Sequence, residues 1–175
     1  NCDIGLWGST PGECTACPDG WVQTSKGKTE CTECNQGEEF DTTSTQCSQC
    51  DIGLFGSTPG ECTACPDGWV QTEKGKDECI KCNQGEEFET TRTQCSSCGL
   101  GKQGNNPGVC SSCAVGQYQD GRGERACKDC PEDTYSSEIG KSSGADCKAC
   151  PDRTTTNKIL GRIQESACVC KASFY

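Results

Sequence analysis

Small and disulfide-rich, an elongated tandem array of short β-hairpin loops with little or no helix: this is the fold class the sequence predicts, and three observations predict it. Cysteine makes up 21 of 175 residues, and 18 of these fall in nine evenly spaced C-x-x-C pairs. Once cysteine is set aside, only 33 residues are Ala, Val, Ile, Leu, Phe, Trp or Tyr. Third, the chain repeats itself: residues 2 to 49 and 50 to 97 align without gaps and differ at eight positions, among them Trp7 against Phe55 and Ser25 against Glu73.

The scarcity of apolar residues excludes a conventional core. With 22 Gly, 7 Pro and a mean hydropathy of -0.72, an uncrosslinked chain of this composition buries too little area to offset backbone entropy. Cross-links must make up the difference. Cysteine above about 8 to 10% marks a disulfide scaffold, and persistent disulfides belong to oxidising compartments. The expected location is therefore extracellular or at the cell surface. A net charge of -10 gives no basic surface for a phosphate backbone, so no nucleic-acid partner is expected. No stretch nears the roughly 18 apolar residues of a membrane span, so none is expected in this segment.

The repeat organises the chain into unit 1 (1–49), unit 2 (50–97), a divergent unit 3 (98–149) and the start of a further unit (150–175), read as a segment of a longer chain. Each complete unit holds three loops of about 16 residues with one grammar: Cys-x-x-Gly, an aromatic one to three residues on, a polar turn, then Cys. The glycines are Gly5, Gly20, Gly37, Gly53, Gly68, Gly85, Gly101 and Gly116; the aromatics are Trp7, Trp21, Phe40, Phe55, Trp69, Phe88, Tyr118 and Tyr135. Pro11-Gly12, Gly27, Pro59-Gly60, Gly75, Pro107-Gly108 and Asp120-Gly121 supply turn chemistry at the loop tips. No window shows helical periodicity, whereas stretches such as 20–24 suit narrow hairpins with the ring over a disulfide. Self-similar arrays place each module mainly against its neighbours.

If each loop closes on itself, the bonds are Cys2 to Cys14, Cys17 to Cys31, Cys34 to Cys47, Cys50 to Cys62, Cys65 to Cys79, Cys82 to Cys95, Cys98 to Cys110, Cys113 to Cys127, Cys130 to Cys147 and Cys150 to Cys168. Cys170 is then left for a partner downstream. For loops of about 12 to 19 residues the chain-entropy model gives on the order of 3 kcal/mol per bond. Spacing alone does not determine connectivity, and a crossed pattern, first to third and second to fourth cysteine, competes.

Paired C-x-x-C motifs about 13 residues apart also suit zinc knuckles. Against zinc stand the unbroken overlap of the quartets, the absence of His and the acidic, repeat-built composition; no metal or other cofactor is expected. A thioredoxin-like role fails because no βαβ pattern surrounds any pair. Catalysis without His would fall to carboxylates such as Glu38, Glu39, Glu86, Glu87, Asp19 or Asp67, which read as solvated loop surface, so no catalytic residue is expected and the chain is read as no enzyme. A calcium role lacks the alternating Asp-x-Asp-x-Asn-Gly run. There is no Asn-x-Ser/Thr sequon, while Thr42-Thr43-Ser44-Thr45 and Thr154-Thr155-Thr156 are candidates for O-linked glycans.

The phrases Cys17-Pro18-Asp19-Gly20-Trp21, Cys113-Ala114-Val115-Gly116-Gln117-Tyr118 and Cys130-Pro131-Glu132-Asp133-Thr134-Tyr135 resemble the C-P-x-G-x-Y openings of ephrin-receptor-like cysteine-rich repeats. Those are similar in turn to the first loop of tumour-necrosis-factor-receptor modules. Residues 150–170, ending Cys168-Val169-Cys170, resemble the family's long loop closed by C-x-C. Asn35 and Asn83 depart from the proline of the motif, and Asp133 and Arg153 from its glycine. The resemblance implies a ladder of small extracellular disulfide loops. The function expected is an extracellular structural protein, a stapled repeat segment of a fibre, surface coat or adhesion molecule; the alternative is the ligand-binding ectodomain of a membrane receptor. Copies of itself or other extracellular proteins are the expected partners.

Overall fold

The computed structural model describes residues 1–41 and 45–171. Ten disulfides close ten consecutive loops: Cys2–Cys14, Cys17–Cys31, Cys34–Cys47, Cys50–Cys62, Cys65–Cys79, Cys82–Cys95, Cys98–Cys110, Cys113–Cys127, Cys130–Cys147 and Cys150–Cys168. We number them loops 1 to 10. Each carries one two-stranded hairpin in its own sheet, all those of described register being antiparallel, as Leu6–Trp7 with Thr15–Ala16 or Trp21–Val22 with Thr32–Glu33. Among the described residues helix is confined to two 3₁₀ turns, Gly144–Asp146 and Glu165–Ala167. Small disulfide-rich hairpins in series are thus the fold.

The hairpins explain the C-x-x-C spacing. In loops 1, 2, 4, 5, 8 and 9 the return strand is the pair of residues between the two cysteines, such as Thr15–Ala16, Thr63–Ala64 or Lys128–Asp129. One cysteine staples the hairpin that has just closed, and the next opens the following loop after only two residues. The two cysteines differ in environment. The opening cysteines Cys2, Cys17, Cys34, Cys50, Cys65, Cys82, Cys98, Cys113 and Cys130 are buried, and among the described residues the other buried apolar ones are Cys147, Val22 and Val70. Among the described residues the buried interior is therefore mostly half-cystine sulfur and backbone, joined by the polar side chains of Gln23, Gln71, Gln119, Ser136 and Thr156.

Contacts divide the chain into two compact units, 1–81 with 88–94, and 82–87 with 95–175. Within the first, backbone bonds tie successive loops: Gly5 donates to the Gln23 carbonyl at 2.8 Å, Gly53 to Gln71 at 2.8 Å, and Gly75 to Cys50 at 2.9 Å. The second unit repeats the pattern with Gly101 to Gln119, Gly116 to Ser136, and Gly140 to Cys113, each at 2.8 Å. Neighbouring loops are not the only ones in touch. Gly37 of loop 3 has φ +80 and faces the Gly75 carbonyl of loop 5 so closely that a Cβ would overlap its oxygen; Gly101 of loop 7 faces Gly140 of loop 9 in the same way. Beside the contacts between neighbouring loops mainly expected of the array, backbone thus also meets backbone at the next loop but one.

Asp133 and Arg153, which stand where the motif has glycine, take the same left-handed backbone, with φ 60 and 66. Asp133 compensates with its side chain. Its Oδ1 accepts from the Thr155 hydroxyl at 2.6 Å and the Thr156 amide at 3.0 Å, while its own amide donates to Thr156 Oγ1 at 3.0 Å.

Candidate functional site

The twenty stapled cysteines have no thiolate to offer a metal, and among the described residues no three His, Cys, Asp or Glu side chains stand together as a metal-holding group. Cys170 is free and exposed. The carboxylates singled out from the sequence do not converge. Glu38 accepts from the Asn35 amide at 2.9 Å and its side chain at 3.1 Å, and Glu86 does the same with Asn83 at 2.8 and 3.2 Å. Asn in place of the family's proline thus restores an amide donor that a glutamate three residues on can hold. Glu39 follows Glu38 along one strand, and successive side chains of a strand point to opposite faces. Glu87 pairs with Lys102 at 3.4 Å, Asp67 with Arg92 at 2.9 Å, and Asp19 is exposed.

Of the candidate glycan acceptors, Thr42, Thr43 and Ser44 lie outside the described residues. Thr45 Oγ1 bonds the Asp41 carboxylate at 2.5 Å. Thr154 Oγ1 donates to the Pro151 carbonyl at 2.6 Å, Thr155 is bound to Asp133, and Thr156 is wholly buried. The hydrogen bonds from Thr155 and Thr156 hold the Asp133 carboxyl below its ordinary value of 3.8, since both favour the charged form.

A second set of polar residues went unnoticed in the sequence. Gln23, Gln71 and Gln119 are buried, six residues after the opening cysteine of loops 2, 5 and 8. The Gln71 amide donates to the Glu78 carbonyl at 2.6 Å and its oxygen accepts from the Glu73 amide at 2.9 Å. Gln119 spans Ala126 and Gly121 at 2.5 and 3.0 Å, and Gln23 spans Glu30 and Ser25. Each glutamine cross-braces a polar turn from inside. The recurrence of Gln at intervals of 48 residues was the available signal.

An apolar cleft lies between loops 1 and 2, about 260 Å³ in volume and lined by Trp7, Pro18, Trp21, Glu30 and Cys31. It recurs between loops 4 and 5 at about 200 Å³, lined by Phe55, Pro66, Trp69, Glu78 and Cys79. Cys31 and Cys79 line these clefts beside the rings, which stay partly open to solvent, with Trp21 37% exposed.

Hairpins in tandem, each stapled by its own disulfide around a core of half-cystines, define a cysteine-rich repeat protein of extracellular type. More particularly, residues 101–147, which cover most of loop 7 and all of loops 8 and 9, match the family described as tyrosine-protein kinase ephrin type A/B receptor-like. Repeats of the ephrin-receptor-like kind, which that stretch is similar to, are a disulfide-stabilised and non-catalytic type of domain. No curated protein matches the chain. Among the described residues, no helix is long and apolar enough to cross a membrane.

Proposed function

We propose that this chain is a structural segment of an extracellular fibre, surface coat or adhesion molecule, in which disulfide-stapled loops act as a repeated building unit. The observation that carries this reading is the near-identity of residues 2–49 and 50–97, down to the glutamine braces, the loop-to-loop bonds and the aromatic cleft. A binding module under selection for one ligand differentiates its copies, whereas a spacer or polymer reuses one unit. Copies of itself or other extracellular proteins are the partners, and the threonine-rich run at 42–45 is the place for O-linked sugars. Electron microscopy of native material tests the proposal: filaments or a surface layer decorated by an antibody against the repeat are expected, and isolated globular particles with neither would overturn it.

The match of residues 101–147 to a receptor-like family favours a second reading, a ligand-binding ectodomain. It requires a leader, a membrane span and a cytoplasmic signalling domain in the same gene. A full-length reading frame made only of cysteine-rich repeats would remove it.

A further inference from the structure

The two aromatic clefts invite comparison with the third copy of the unit, where the disulfides and hairpins persist and the cleft residues do not. At the positions of Trp7, Pro18, Trp21 and Glu30, or Phe55, Pro66, Trp69 and Glu78, the third copy has Gln103, Ala114, Gln117 and Ala126. Its loops still close, and Gln103 Oε1 accepts from the Cys127 amide at 3.0 Å. The scaffold therefore does not need two aromatic rings, a proline and a glutamate at these places. They form an open apolar wall with a carboxylate at the rim, and among the described residues neither Glu30 nor Glu78 has a side-chain hydrogen bond or ion pair.

The charge of the two loops differs at three places: Glu73, which is paired with Lys76, and Asp77 stand in loop 5 where loop 2 has Ser25 and Thr29, and the residue facing the tryptophan changes sign. In the hairpin of loop 5, Trp69 stands opposite Lys81, whose Nζ lies 5.7 Å from the centre of the indole ring. Trp69 thus already holds a cation from its own chain, a contact favoured by the ring quadrupole. In loop 2 the residue opposite Trp21 is Glu33. Among the described residues Trp21 has no such internal cation, and across the hairpin it stands opposite a carboxylate instead.

We propose that the Trp7–Trp21 cleft is a docking site for an arginine or lysine side chain on a basic segment of a partner protein. The indole rings of Trp7 and Trp21 and the ring of Pro18 receive its aliphatic stem, while Glu30 and Glu33 meet its charge. The equivalent cleft at Phe55 and Trp69 is weakened for the same ligand by Lys81, which competes for the ring and repels a second cation. The site is independent of whether the segment is a spacer or a receptor.

The three tryptophans, Trp7, Trp21 and Trp69, give three separate indole N–H signals, so the test is a nuclear magnetic resonance titration of the intact oxidised chain. The probes are a capped Gly-Arg-Gly-Arg-Gly peptide, the same peptide with glutamate for arginine, and a neutral glucose trisaccharide. Saturable shifts of Trp7 and Trp21 with the arginine peptide are expected, with Trp69 responding more weakly. Trp21→Gln and Glu30→Ala, both residues that the third copy carries at these positions, should each weaken binding by roughly tenfold, in line with a desolvated cation–π or charge contact. Because a loss can reflect misfolding, the deciding variant is a gain: Lys81→Glu should raise the Trp69 response, and Glu33→Lys should suppress that of Trp21. Shifts with the trisaccharide or the acidic peptide in place of the arginine peptide, no shift with any probe, or indifference of Trp69 to Lys81→Glu would each overturn the proposal.

Discussion

The side-chain amide of Gln71, itself 3% exposed, donates to the backbone carbonyl of Glu78 at 2.6 Å across the turn of loop 5. In a chain without an apolar core, this bond and its partner from the Glu73 amide do what side-chain packing does elsewhere, holding one wall of the loop against the other. Buried polar groups are tolerated only when both ends are satisfied, and here both are.

Truncating the brace, Gln71→Ala, is expected to destabilise loop 5 by about 1–3 kcal/mol, because it leaves a donor and an acceptor without their partner. Gln36→Ala is the control: that exposed side chain donates to the Ser57 carbonyl at 2.9 Å and can exchange it for water. Hydrogen exchange should show faster exchange of the Glu73 amide in the first variant and little change in loop 5 in the second. Equal effects would mean that the burial of Gln71 has no energetic role.

The hairpins were legible in the sequence, whereas the braces were not, for a physical reason. Cysteine spacing, turn glycines and the aromatic after Cys-x-x-Gly are local signals, and a hairpin closed within about 15 residues obeys local rules. A glutamine in a polar loop carries no local mark of burial; the partners of Gln71 in its own loop, the Glu73 amide and the Glu78 carbonyl, are backbone groups that any sequence supplies. The aromatic cleft escaped for the same reason, since Trp7 and Trp21 belong to different loops, and the rings were read singly as covers for their own cystines. The contact of Gly37 with Gly75 depends on how far each hairpin displaces the next, and two-residue strands do not declare that.

Gly12 and Gly37 make a matched pair for measuring that contact. Both have positive φ, +89 and +80, but nothing lies within 4 Å of a Cβ built on Gly12, whereas one on Gly37 meets the Gly75 backbone. Gly12→Ala should cost only the left-handed penalty of roughly 1–2 kcal/mol. Gly37→Ala must in addition push loop 5 away from loop 3. The expected results are near-normal oxidative refolding yield for the first, and for the second a reduced yield with faster exchange in both loops. Matching behaviour would show that loop-to-loop packing adds nothing there.

Loop 10 is expected to be sensitive to acid through Asp133. Its carboxyl is held below the ordinary value of 3.8 by the Thr155 hydroxyl and the Thr156 amide. A folded value lower than the unfolded one stabilises the folded state above the unfolded value, and the gain is lost as pH falls through the folded value. The protection factor of the Thr156 amide, the intrinsic exchange rate divided by the observed rate at the same pH, should therefore be flat from neutral pH down to about 4 and fall in more acid solution. Asp133→Asn keeps an acceptor and tolerates left-handed backbone, so it should fold and show no such step. A step persisting in that variant would assign the acid sensitivity to another group.

Removing one staple tests how far a loop's influence reaches. A loop of the size closed by Cys65 and Cys79 owes on the order of 3 kcal/mol to its bond in the chain-entropy model. Replacing both cysteines by serine should loosen loop 5 first. The damage should then follow the observed contacts: to loop 4, whose Gly53 and Cys50 exchange backbone bonds with Gln71 and Gly75, and to loop 3, whose Gly37 packs on Gly75. Loop 1 makes none of these bonds to loop 5 and should keep its protection. Hydrogen exchange resolved to individual loops distinguishes the outcomes. Loss confined to loop 5 would reduce the array to independent modules, loss that includes loop 1 would make the first unit a single cooperative body, and a graded loss through loops 4 and 3 would establish that next-but-one backbone contacts carry stability along the chain.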